Sequence, residues 1–95
     1  MAKKRPTKAE REYLGQVAAL GCVICKAPAN VHHMLAGAGM GQRSSHFDTF
    51  PLCPDHHQNG GLGVAIHAGV KTWEEKHGTE LSHVVSTRMA IRGLI

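Results

Sequence analysis

Large aromatic side chains are scarce in this chain: its 95 residues include one Trp, one Tyr and two Phe (Tyr13, Phe47, Phe50 and Trp73) against 11 Gly. A domain of this length buries only a modest core, so something besides packing is expected to support the fold. No run of about 18 apolar residues and no apolar leader occurs, which argues against membrane insertion and secretion and points to a cytoplasmic protein. Cysteine is limited to three residues, which cannot all pair as disulfides. Acidic residues are also in deficit, seven Asp and Glu against 11 Lys and Arg, for a formal net charge of +4 with neutral histidines. That balance favours a polyanionic partner such as DNA, although the same charge also serves solubility alone.

The few cysteines are placed in pairs with metal-ligand spacing. Cys22 and Cys25 form a Cys-x2-Cys pair, and Cys53 and His56 form a Cys-x2-His pair. Each pair brings two soft or borderline ligands onto one tight turn, as a tetrahedral Zn²⁺ site requires. A four-ligand set leaves no open position, so Cys22, Cys25, Cys53 and His56 are expected to hold a structural zinc. Histidine remains plentiful: His32, His33 and His57 flank this set and are not used by it. Side chains at successive strand positions diverge, so His32 and His33 are expected to serve different purposes, one binding a metal and the other handling a proton. Successive helical positions turn by about 100°, so His57 must face away from the zinc that His56 binds.

Along the chain, Lys3, Lys4, Arg5, Lys8 and Arg11 concentrate positive charge near the N-terminus. Residues 1–7 are read as a basic arm and residues 8–95 as a single domain. Thr7 and Glu10 form a capping-box pattern ahead of Tyr13, Leu14, Val17, Ala18 and Leu20 at helical spacing, predicting a helix over Lys8 to Leu20 closed by Gly21. Asn30 to Leu35 reads as a strand. Ala36 to Ser45, with Gly37, Gly39 and Gly41, reads as a loop, and Phe47 to Leu52 as a second strand. Cys53-Pro54 is expected to open a helix ended at Asn59-Gly60-Gly61. Val70 to His77 is expected to be helical with Gly78 as its stop. Thr79 then caps a last helix whose apolar set is Leu81, Val84, Val85, Met89 and Ile91. Trp73, Val70 and Ile66 are assigned to the core, and Lys71 and Lys76 to a solvated helix face. The fold class is therefore α+β.

Val31-His32-His33, the glycine-rich loop, Pro51 to His57 and Gly63 to His67 together resemble the HNH, or ββα-metal, nuclease superfamily. Within it they resemble phage-borne recombination-enhancement nucleases that act with a bacterial recombinase. The resemblance extends from Gly21 to about Gly69, half the chain. It implies a small zinc-stabilised ββα-metal domain with flanking helices, acting as a metal-dependent DNA endonuclease that leaves 5′-phosphate and 3′-hydroxyl ends. By the same resemblance His33 is the general base, and His32 and His57 hold one divalent cation (Mg²⁺, Mn²⁺ or Zn²⁺). The superfamily often has an Asn before the second strand. None lies between His33 and Cys53 here, so His46 or Asp48 would stand in. His67 either completes the catalytic metal site or caps the helix that follows. Arg43 in the glycine-rich loop, with Lys3, Lys4 and Arg5, is expected to contact phosphate. Two other classes fit the composition: a zinc module that binds nucleic acid without cutting it, and a zinc-folded module whose partner is another protein. His33 and His57 separate them from a nuclease, because neither needs a base or a second metal.

Overall fold

In a computed structural model of the chain, which describes residues 5–35 and 45–93, the first regular element is set by its cap. Thr7 precedes helix α1 (Lys8–Ala19). Its Oγ1 accepts from the Glu10 backbone N–H at 3.1 Å, and the Glu10 carboxylate accepts from the Thr7 N–H at 2.7 Å. This reciprocal box satisfies two of the amide donors that a helix start leaves without partners. Tyr13 and Val17, one turn apart, are the buried residues of α1. The helix ends where Gly21 takes φ +80°, and a Cβ there would lie 2.9 Å from the Lys26 carbonyl oxygen. Only glycine meets both demands, the left-handed φ and the close backbone approach.

Beyond Gly21 the chain doubles back on itself. Cys22 N–H donates to the Ala27 carbonyl and Lys26 N–H to the Cys22 carbonyl, both at 2.9 Å. The Ile24 N–H meets the Cys22 sulfur at 3.4 Å. Strand β1 (Asn30–His33) then pairs antiparallel with β2 (Thr49–Leu52), with Val31 opposite Pro51 and His32 opposite Phe50. Both strands are shorter than the sequence pattern predicts. Pro51 is tolerated in a wholly buried strand because its carbonyl accepts from Val23 N–H at 3.0 Å. That bond marks the edge of β2 turned away from β1, where the missing N–H removes no ladder bond.

After β2 the expected helix is a single π-helical turn (Asp55–Asn59). Its Gly60 N–H bonds to the Asp55 carbonyl at 2.9 Å. A Cβ on Gly60 would fall 2.4 Å from the Val64 side chain and 2.6 Å from the Asp55 carbonyl, so the tight stop needs glycine. A short 3-10 turn (Ile66–Ala68) leads into α2 (Val70–His77) and, past Gly78, into α3 (Glu80–Arg92), capped by the Thr79 hydroxyl. The core gathers Cys22, Phe50, Leu52, Cys53, Ile66, Trp73 and Val84, with Val70 partly buried beside it. Among the described residues no helix is long and apolar enough to cross a membrane.

Helix α3 departs from the sequence pattern. Its buried residues are Glu80, Val84 and Thr87, at i, i+4 and i+7, whereas Leu81 is 60% and Val85 44% exposed. The helix packs on β2 and α1 with a face rotated by about 100° from its most apolar stripe, the angle between neighbouring helical positions. On that buried face the Glu80 carboxylate points inward to His32 of β1.

Candidate functional site

The two knuckle pairs converge. Cys22, Cys25, Cys53 and His56 place one ligand atom each within 4.8 Å of one another. The turn after Gly21 presents Cys22 and Cys25, and the end of β2 with the π-helical turn presents Cys53 and His56. Cys25 and Cys53 sulfurs are 3.7 Å apart, and His56 Nδ1 lies 3.6 Å from the Cys22 sulfur and 3.1 Å from that of Cys53. With Zn–S bonds of about 2.3 Å and Zn–N bonds of about 2.0 Å, a tetrahedron has edges of about 3.8 Å between sulfurs and about 3.5 Å between sulfur and nitrogen. The spacing is thus that of a closed four-ligand set that can hold zinc. Burial raises the Cys22 thiol, but the backbone N–H groups of Cys53, Cys25 and Ile24 outweigh it and bring the thiol below its ordinary value. The Ala27 N–H lowers Cys25, yet desolvation and the neighbouring Cys53 and Cys22 sulfurs carry it upward. Sulfurs crowded in this way resist joint ionisation until a cation joins them.

A second cluster lies on the other side of the π-helical turn. His32, His57 and His67 also set one nitrogen each within 4.8 Å of one another. His57 Nε2 and His67 Nε2 are 3.0 Å apart, and the His32 ring stands edge-on to both, at centroid distances of 5.0 and 5.3 Å. His32 comes from β1, His57 from the π-helical turn and His67 from the 3-10 turn. His56 and His57, though adjacent, serve different clusters, as the helical rotation requires. Burial lowers His57 to about 4, with like charge on His32 and His67 adding to the effect. Burial also lowers His32, against the opposing pull of Glu80. Neutral imidazoles with free lone pairs at neutral pH are the protonation state that metal binding needs. Three imidazole donors would leave positions open on an ion. His67 is exposed, so the cluster faces solvent on one side.

His33 takes another path. Its Nε2 lies 2.9 Å from His46 Nδ1, and the His46 carbonyl in turn accepts from the Thr49 hydroxyl at 3.0 Å. Of the two candidates to stand near His33, it is therefore His46 that does so. Asp48 instead binds the Arg88 guanidinium from α3. Of the residues expected to contact phosphate, Arg5 is exposed, while Lys3, Lys4 and Arg43 lie outside the described residues.

The sequence reading missed Glu80. It is fully buried, its Oε2 lies 2.8 Å from His32 Nε2, and its carboxylate accepts from the Leu35 N–H at 2.9 Å. An acid in the first turn after a Thr cap is ordinary helix chemistry, so nothing local distinguishes it.

No curated protein matches the chain. A family model does match residues 1–91, a span that includes both metal-ligand clusters and Glu80, and the chain therefore belongs to the family described as protein of unknown function DUF968.

Proposed function

We propose that this protein is a ββα-metal (HNH-type) DNA endonuclease with a structural zinc and one catalytic divalent ion. One observation carries the reading. Adjacent residues of β1 have opposite destinations, His32 in a three-imidazole cluster with His57 and His67 and His33 against His46 at 2.9 Å. This supports reading a metal-binding group and a proton-handling group side by side, the juxtaposition that phosphodiester hydrolysis needs.

In this reading His33 takes the proton from the attacking water, and His46 holds the His33 ring in place as it does so. His32, His57 and His67 would hold the ion, and imidazole donors suit Zn²⁺ or a similar transition ion better than Mg²⁺. Bound there, the ion supplies charge neutralisation at the phosphoryl group and the leaving 3′ oxygen. Water oxygen bonds to phosphorus as the bond to the 3′ oxygen breaks, and the departing 3′ oxygen takes a proton from solvent water, giving 5′-phosphate and 3′-hydroxyl ends. Arg5, Lys3, Lys4 and Arg43 would contact phosphates, which makes binding fall with salt. The resemblance to recombination-enhancement nucleases extends the proposal to a recombinase filament as partner and to a phage or prophage setting in the cytoplasm.

The test is digestion of supercoiled and single-stranded DNA with Mg²⁺, Mn²⁺ or Zn²⁺, with and without a recombinase filament. The wild type should cut, and His33→Ala should not, while keeping its zinc and its DNA affinity. Salt-sensitive DNA binding with no cleavage under any of these ions would make the protein a zinc module that only binds nucleic acid.

A further inference from the structure

Glu80 is a carboxylate in an apolar place. It is 0% exposed, as are its helix neighbour Val84 and the core residues Phe50 and Ile66. One position along, Leu81 is turned to solvent. Burying a carboxylate costs far more than burying a leucine unless polar partners compensate it, and stability alone favours the reverse arrangement. Two of its partners lie on β1 and just past its end: the His32 ring, at 2.8 Å from Oε2 and itself 1% exposed, and the Leu35 backbone N–H, at 3.1 and 2.9 Å from the two carboxylate oxygens. Glu80 is in turn fixed from behind, because its own N–H donates to Glu74 Oε2 at 2.8 Å. The turn between α2 and α3 thus clamps the end of β1.

We propose that Glu80 is the positioning residue of the three-histidine centre: its carboxylate accepts the Nε2–H of His32 and so leaves Nδ1 as the nitrogen that ligates a metal ion. This rests on the reading of His32, His57 and His67 as a metal centre. An imidazole has two nitrogens, and the hydrogen bond made by one decides which atom the other presents. A carboxylate behind a ligating histidine fixes both the tautomer and the ring plane and raises the basicity of the metal-binding nitrogen. The His32 ring meets Glu80 through Nε2 and also stands edge-on to the rings of His57 and His67. The centre accordingly extends beyond the segment that carries its ligands, because a residue 48 positions after His32 orients it.

The experiment uses the full chain with zinc in the cysteine site and titrates Co²⁺ as the probe of the three-histidine centre, followed by its visible absorption. Glu80→Gln should weaken Co²⁺ binding there by roughly 10- to 100-fold with zinc content and melting temperature close to wild type. A role confined to folding would move the melting temperature and leave the affinity of the folded protein unchanged. The second measurement needs no variant: imidazole ¹⁵N spectra of the wild type, with the cysteine site zinc-loaded and the histidine centre metal-free, should show the His32 proton on Nε2. Unchanged Co²⁺ affinity in Glu80→Gln, or a His32 proton on Nδ1, overturns the positioning role while leaving the metal centre standing. Failure of the wild type to bind any Co²⁺ beyond the cysteine site overturns the metal centre, and Glu80's part in it with it.

Discussion

His57 connects the protonation chemistry of the site to its stability. Burial brings it from its ordinary 6.5 to about 4 in the folded chain, so above pH 6.5 the folded and unfolded forms are both neutral at this residue. Between 6.5 and 4 the unfolded chain takes up the proton and the folded chain does not, and stability falls as pH falls through that window. Denaturant midpoints of the wild type with the histidine centre metal-free should therefore drop across pH 6.5 to 4 more steeply than those of His57→Gln. Zinc loss from the cysteine site contributes to both proteins alike, so equal slopes would refute the prediction. At the same scale, the proposed nuclease reading predicts that His57→Ala and His33→Ala both abolish cleavage but differ in metal content. The first loses a ligand, so occupancy of the histidine centre falls while the structural zinc stays. The second retains both metals. Metal analysis of the two purified variants checks this. The division between His32 and His33 was legible from strand alternation, and that between His56 and His57 from helical rotation, because both depend on backbone geometry between neighbours. Glu80 was not legible, since its partner is 48 residues away.

At the scale of elements, α1, α2 and α3 lie where their caps and glycines put them, with boundaries within a residue or two of the sequence pattern. Capping is local chemistry and can be read locally. Which face of a helix is buried is a different matter. For α3 the apolar stripe Leu81, Val85 and Met89 is left exposed, and the face with Glu80, Val84 and Thr87 is buried. Leu81→Gln should then change stability by less than about 0.5 kcal/mol, whereas Val84→Ala should cost about 1–3 kcal/mol. Urea unfolding of the two variants measures the difference, and equal losses would contradict the observed orientation. The helix opened by Cys53-Pro54 ends at Gly60 as the sequence pattern predicts, but it winds as a single π-helical turn rather than an α-helix. Its stop is fixed by Gly60, where a Cβ would meet the Asp55 carbonyl and the Val64 side chain.

For the whole molecule the decisive feature is the four-ligand set of Cys22, Cys25, Cys53 and His56, which can hold a zinc ion. A domain of 95 residues is stable by roughly 5–14 kcal/mol, and structural zinc sites in small domains contribute about 10 kcal/mol or more of binding free energy at neutral pH. The two are of the same size. Two of the cysteines, Cys22 and Cys53, are themselves members of the core, so metal and packing share one volume. Removal of the metal by a strong chelator, or Cys53→Ser, should abolish the cooperative thermal transition. A chelated protein that keeps its wild-type melting curve would show that packing alone suffices.

The sequence by itself determined the ligand pairs, the caps, the two short strands and the α+β class, because each depends on residues a few positions apart. Tertiary structure alone decided that His67 joins His32 and His57, that His46 rather than Asp48 meets His33, and that α3 turns an acid inward. Those outcomes depend on which surfaces meet once the chain is folded, and the contact between β1 and the start of α3 is made by packing across the whole domain. A buried carboxylate is stable only where its partners already stand, and local sequence cannot record where they stand.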